Sequence, residues 1–250
     1  MEQKVKIYVA SHKKANFPEN EIYIPIQVGA EGKEKLGYVT DNTGDNISAK
    51  NSNYCELTGT YWIWKNDTSE IVGLTHYRRY FFRKWNSNKL KDVLTEEDIK
   101  EILKKYDIII PEKTKSIKYT VKEAYAKLHE EKDLEQCRKI IQEKYPEYQE
   151  AFDKVMERKS LYACNMFIAN KKIFDEYYKW CFDILFTLEK RIDISNYDAY
   201  NKRIYGFLSE RLFNVWLEKN TQLKKKEVPV YNVDKKLFTQ IISNKLKQIL

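Results

Sequence analysis

The chain has 250 residues, 42% of them hydrophobic and 14% aromatic, with 19 Tyr and 5 Trp, a balance that excludes intrinsic disorder and can bury a sizeable core. Lys and Arg (45) outnumber Asp and Glu (37), and the net charge of +8 favours anionic partners. Only 7 Gly and 5 Pro leave little material for flexible linkers, and no apolar run approaches the roughly 20 residues needed to cross a bilayer.

Residues 5–10 (VKIYVA) read as a buried strand rich in β-branched side chains, ending on the polar Ser11, His12 and Lys13. Residues 22–28 are expected to form a second strand before Gly29. Residues 40–51 (TDNTGDNISAKN) carry turn chemistry at Asn42, Gly44, Asp45 and Asn46. This is a candidate substrate loop, in which Asp45, Asn46, Lys50 and Asn51 offer donors and acceptors to a sugar or ribose. Residues 53–66 read as a helix. Tyr54, Leu57, Tyr61 and Trp64 recur at helical spacing, so this aromatic stripe and Trp62 are assigned to the core.

Residues 71–75 form the expected central strand, which runs into GLTHYRRYF (73–81). An apolar run that stops at His76, Tyr77, Arg78 and Arg79 is how a buried strand delivers polar groups to its end. Ligand crevices in open α/β sheets lie beyond the carboxyl ends of strands. Guanidinium forks match phosphate oxygens bidentately and keep their charge, so this end suits a phosphate-bearing ligand.

Residues 96–105 are an amphipathic helix, and 107–110 a short strand closed by Pro111. Residues 121–144 are helical with a break near Asp133, and His129 is expected to be solvated on this charged stretch. Residues 162–169 (YACNMFIA) read as a strand with Asn165 as a polar break. A buried amide demands partners, which makes Asn165 a candidate for acceptor contact. Helices are expected over 171–189 and 209–219, the latter introduced by Gly206, with a last strand over 228–233. In 234–250, Leu237, Ile241, Ile242, Leu246 and Ile249 share a helical face flanked by Lys235, Lys236, Lys245 and Lys247. That pattern suits peripheral docking on an anionic membrane surface.

No GxGxxG and no GxxxxGK[ST] is present, so a dinucleotide site and a P-loop are disfavoured. The basic residues are dispersed and no nucleic-acid-binding signature occurs, so nucleic acid is not expected as a partner. Cys55, Cys137, Cys164 and Cys181 form no metal-ligand cluster and read as reduced thiols of a cytoplasmic protein. Alternating strands and helices followed by a helix-rich half indicate an α/β sheet with helical additions.

Several segments together resemble one family: VASHK (9–13), DNTGDNISAKN (41–51), YCELTGTYWIWKN (54–66), GLTHYRRYF, the Asn165 segment and RIYGFLSERLF (203–213). The combination of HYRRY with the ELTxxYWxWKN block is the specific part. The chain is similar over about residues 4–220 to a bacterial domain family of formerly unknown function from capsular and exopolysaccharide gene clusters. Members of that family include glycosyltransferases, some of them galactofuranosyltransferases.

The resemblance implies an α/β, GT-A-like nucleotide-sugar transferase fold with a central mixed sheet. It would occupy 1–233, with a donor half (1–111) and an acceptor half (112–233), followed by the helix 234–250. It implies a UDP-sugar donor and a lipid-linked glycan acceptor at the inner face of the cell membrane. Many GT-A enzymes hold a divalent metal on an Asp-x-Asp after a central strand. Here that strand end reads Thr75-His76-Tyr77-Arg78, with no carboxylate. Metal-independent neutralisation of the diphosphate by His76, Arg78 and Arg79 is therefore expected, with Mn²⁺ or Mg²⁺ on Asp41 and Asp45 as the alternative.

Inverting members of the fold place a general base before a second-half helix, and Glu210 fits that position, with Glu56 as the second carboxylate candidate. Retention stays open at this stage. His12 and Lys13 lie where such folds hold the nucleoside, and Arg203 and Arg211 flank the base on the acceptor side. A non-catalytic nucleotide- or carbohydrate-binding protein of a polysaccharide assembly complex is the competing reading.

Overall fold

A computed structural model describes residues 4–116 and 118–241. β1 (Val5–Ser11), β2 (Tyr23–Gln27) and β3 (Val39–Thr40) come first, then the broken helix α1 (Asn51–Tyr54) and α2 (Leu57–Asn66). β4 (Ile71–His76) turns tightly into β5 (Arg79–Phe81). α3 (Glu96–Leu103), β6 (Ile108–Pro111) and β7 (Thr114–Lys115) follow, then α4 (Val121–Ala126), α5 (Glu131–Lys144) and α6 (Gln149–Met156). β8 (Ser160–Leu161), β9 (Ile168–Asn170), α7 (Lys171–Glu189), α8 (Ile204–Lys219), β10 (Lys225–Val228) and β11 (Val230–Asn232) complete the order.

Among the described residues, nine strands form one mixed sheet. Its main path runs β10-β6-β9-β4-β1-β2-β3, with β5 and β11 extending from the end of β4. β1 is parallel to β2 and β4, whereas β9 runs antiparallel to β4 and β6. Strand alternation divides the apolar side chains between two cores. Tyr8, Ala10, Val72, Leu74, Ile108 and Ile110 pack towards α2 and α5 to α8. Ile7, Val9, Ile71, Ile109 and Ile168 pack on the other face with Phe81, Phe82 and Ile99. The helices keep their aromatic stripe inside: Tyr54 and Leu57 are buried, and Trp64 stacks on Phe182.

Several boundaries differ from the sequence reading, each for a local reason. The 53–66 helix starts at Asn51 and breaks at Cys55, whose φ is 53°. The Asn51 side chain donates to the Cys55 carbonyl at 2.7 Å and holds that break. The 162–169 strand shrinks to β9, because Cys164 and Asn165 pass through positive φ (81° and 47°). The helix expected over 209–219 begins at Ile204, so Gly206 lies inside it, packed on Cys55, rather than before it. The helical break falls at 127–130, ahead of Asp133, and Pro229 splits the 228–233 segment between two strands. The strand β5 and the helix α6 were not anticipated. The four cysteines are free thiols. Residues 237–241 are helical, and the rest of the helix expected over 234–250 lies outside the described residues. No helix among the described residues is long and apolar enough to cross a membrane.

The central strand requires glycine at one point. A Cβ on Gly73 would lie 2.6 Å from Ile168 Cγ1 and 3.0 Å from the Phe167 carbonyl oxygen, and the latter is backbone that cannot swing away. Gly73→Ala is expected to cost about 1–3 kcal/mol through overpacking, read as a lower urea midpoint. An unchanged midpoint would contradict the close approach of β9 to β4.

Candidate active site

β4 ends by delivering His76 beside the turn that precedes β9. The His76 Nε2–H donates to the Cys164 carbonyl at 2.9 Å, which fixes the proton on Nε2. Burial pulls the imidazole below its ordinary range, although the negative charge of Glu56 and the Cys164 carbonyl act the other way. The ring is therefore neutral at pH 7.

The same turn holds both carboxylates. The Cys164 N–H donates to Glu210 Oε1 at 3.1 Å, and Asn165 Nδ2 donates to Glu56 Oε1 at 2.9 Å and to the Gly206 carbonyl at 3.2 Å. Glu56 comes from the α1–α2 junction and Glu210 from the second turn of α8. Burial raises the Glu210 carboxyl, and the charge of Glu56 raises it further. Arg211, the Cys164 N–H and Arg79 oppose that rise. The Glu210 side chain keeps 27% exposure, so it is desolvated yet reachable.

Arg211 Nη1 donates to Glu210 Oε2 at 3.3 Å and to the Phe207 carbonyl at 2.9 Å. Arg203 Nε donates to Cys55 Sγ at 3.2 Å. Burial and Glu56 raise the Cys55 thiol, with Arg203 opposing, and Cys164 is pushed up to about 12, chiefly by burial. Both stay protonated thiols and are poor nucleophiles.

A cationic group lies beside this centre. His12 meets Tyr77 edge-on with ring centroids 5.4 Å apart, the Lys13 ammonium sits 5.3 Å from the Tyr77 ring, and the Arg78 guanidinium 4.7 Å from it. Burial lowers the His12 imidazole, and Lys13, Arg78 and Lys33 lower it further. Arg78 also approaches Asp234 at 3.9 Å. Two open clefts flank the group. One, of about 460 Å³, is bordered by Arg79, Cys164, Lys113 and Asn232, and the other, of about 500 Å³, by Lys13, Tyr77, Lys89 and Asp234.

The structure thus brings together Glu56, His76, Arg79, Asn165, Arg203, Glu210 and Arg211 around one turn, with His12, Lys13, Tyr77 and Arg78 alongside. The loop residues are engaged elsewhere. Asp45 accepts from Tyr61 Oη at 3.0 Å, and Asn46 closes its own turn on Gly44 and Ser48. Lys50 pairs with Glu189 at 2.6 Å, and Asn51 holds Cys55 and Thr58. Asp41 is buried, accepting from the Gly29 and Ala30 N–H groups and Ser48 Oγ. Sequence reading missed the Cys164 peptide as a hub, and Lys33 and Asp234 as neighbours of the cations. Only the positive φ at Cys164 reveals that hub, and no residue pattern encodes it.

The family described as a domain of unknown function, DUF4422, matches residues 6–221. Among curated proteins none matches the chain. A solved apo structure of WbbM, a bifunctional glycosyltransferase, is similar at 34% identity and a TM-score of 0.85, over 92% of this chain and 45% of that one. The chain therefore spans less than half the length of that protein. The architecture is a GT-A-like α/β fold with a central mixed sheet and helical additions. With a match across most of its length, the chain belongs to the DUF4422 family.

Proposed function

We propose that the protein is a glycosyltransferase that moves a hexosyl residue, galactofuranose or galactopyranose, from a UDP-sugar to a lipid-linked surface glycan. The observation that carries this reading is the convergence of Glu210 and Glu56 with His76 and Arg79 at the end of the central strand. The similarity to a bifunctional glycosyltransferase supports the same reading.

Glu210 serves as general base. It takes the proton of the acceptor hydroxyl as that oxygen attacks the anomeric carbon, and the bond to the diphosphate breaks on the opposite side. A carboxyl raised by burial is a stronger base than an exposed one. Arg79 with Arg78 and Lys13 stabilises the departing diphosphate, a task that fixed cations perform without reorganisation, and His12, held neutral beside them, offers a hydrogen bond. Glu56, held by Asn165, orients sugar hydroxyls and tunes Glu210.

A divalent ion fits poorly at this strand end. Among the described residues no three His, Cys, Asp or Glu side chains are grouped to hold a metal ion, and the adjacent cationic side chains repel one. Asp41 and Asp45 are engaged with protein donors. The reaction is therefore taken as metal-independent. Exposed Trp85 and Phe238, 64% and 73% accessible, lie on segments joined by Asn88 Nδ2 donating to the Lys235 carbonyl, and Lys84 and Lys236 sit next to them in sequence. Aromatic and basic groups of this kind support peripheral docking at the cytoplasmic face of an anionic membrane, continued by 234–250.

UDP release from a UDP-hexose is expected to fall about 10²–10⁴-fold in Glu210→Gln, while UDP still binds in calorimetry. Unchanged release would remove Glu210 from the mechanism, and binding without any turnover in the wild type would favour a non-catalytic role. Activity needs Glu210 unprotonated, so the rate falls as pH drops through its pKa, above the usual glutamate value of about 4.3. Glu56→Gln removes a like charge but keeps an oxygen for Asn165, so this acid limb moves to lower pH; a stationary limb would contradict the pairing. Arg79→Ala is expected to weaken UDP binding about tenfold or more, while EDTA leaves wild-type affinity unchanged. Loss of wild-type binding in EDTA would overturn metal independence.

A further inference from the structure

His129 is not solvated, as its charged neighbours suggested, but packed among aromatic rings. It stacks on Phe207 with centroids 4.1 Å apart and 28° between planes, and faces Tyr200 at 5.6 Å and 16°. Tyr200 and Phe207 also touch, at 5.0 Å. Tyr200 is 48% exposed, and His129 and Phe207 are half-buried, so the group keeps an open face. His129 Nδ1–H donates to Asn201 Oδ1 at 3.2 Å. Burial, with Arg211 adding to it, holds the ring neutral, which leaves its face free of cationic charge.

These rings adjoin the carboxylates. Phe207 and Glu210 stand three apart on α8 and so share one helical face, and Arg203 caps the helix one turn before Phe207. The Arg203 guanidinium lies 5.4 Å from the Phe207 ring and is itself under the charge of Glu56. Arg211 Nη1 ties the Phe207 carbonyl to Glu210. An open aromatic shelf thus leads along one helix face to the base, on the side of Glu210 that bears Arg203.

The chemistry of the shelf selects its ligand. A phosphate or nucleoside diphosphate is drawn to the cations around Tyr77, whereas the three rings of the shelf carry no charge and the one guanidinium beside them, Arg203, is under the charge of Glu56. A hexopyranose has an apolar face of C–H groups that packs on aromatic rings, and a rim of hydroxyls that hydrogen-bonds to charged side chains beside them. We propose that Tyr200, His129 and Phe207 form the acceptor subsite, which takes the terminal hexopyranose of the acceptor and turns one hydroxyl towards Glu210, with Arg203 on the sugar rim. This rests on the glycosyltransferase reading and adds to it the acceptor class and its location.

The test compares two reactions of the same protein, release of UDP from UDP-galactose or UDP-galactofuranose in water, and transfer to octyl β-hexopyranosides of galactose, glucose and mannose. In Tyr200→Ala the acceptor KM is expected to rise about five- to tenfold, shifting the partition from transfer towards hydrolysis. Tyr200→Phe, which keeps the ring, restores the wild-type partition. Three results would overturn the shelf: an unchanged acceptor KM in Tyr200→Ala, a parallel fall of hydrolysis and transfer, or a wild type that hydrolyses donor yet transfers to none of the three glycosides. A wild type with neither reaction counts against the glycosyltransferase reading itself, which separates the two failures.

Discussion

The peptide units of Cys164 and Asn165 hold the centre of the site in place. Both residues adopt positive φ, at a cost of order 1 kcal/mol each for residues with a Cβ, though Asn tolerates this region better than most. The turn is stabilised by what it binds. Its N–H meets Glu210, its carbonyl meets His76, and its amide side chain meets Glu56 and the Gly206 carbonyl. Hydrogen bonds to charged groups contribute about 1.5–3 kcal/mol each. The turn and the carboxylates therefore stabilise one another.

Two zones of opposite charge meet at this turn. Glu56 and Glu210 lie on one side, and Arg79, Arg78 and Lys13 on the other. Burial and a like charge push Glu210 up, while Arg211, the Cys164 N–H and Arg79 pull it back. The carboxyl is thus raised without being left uncompensated, as the proposed base role requires. The sheet sets the spacing. β4 carries His76 and leads into the turn and strand that carry Arg78 and Arg79, Gly73 admits β9 against it, and β9 follows closely on the turn that holds the carboxylates.

Much of this frame was legible in the residues. The apolar runs of β1 and β4, the aromatic stripe of α2 and the polar stop at His76 follow from side-chain periodicity. Arg203, Glu210 and Arg211 share a short segment, so their proximity was also readable. What was not readable depends on distant backbone. Glu56 meets Asn165 across 109 positions, and nothing in either neighbourhood marks the pair. The loop at 40–51 has the composition of a ligand loop. Its polar groups instead close the structure: Asp45 on Tyr61, Lys50 on Glu189, and Asn51 on the Cys55 break. His129 looked solvated because its sequence neighbours are charged, yet its partners Tyr200 and Phe207 come from the α7–α8 connection and α8.

The central claim is that one carboxylate activates an incoming oxygen while the diphosphate leaves from the opposite face. The anomeric configuration of the sugar released from a UDP-hexose, followed by proton NMR before mutarotation, tests this most directly. A single displacement with Glu210 as base predicts the inverted anomer as first product. The retained anomer would require a different mechanism and would contradict the role given to Glu210.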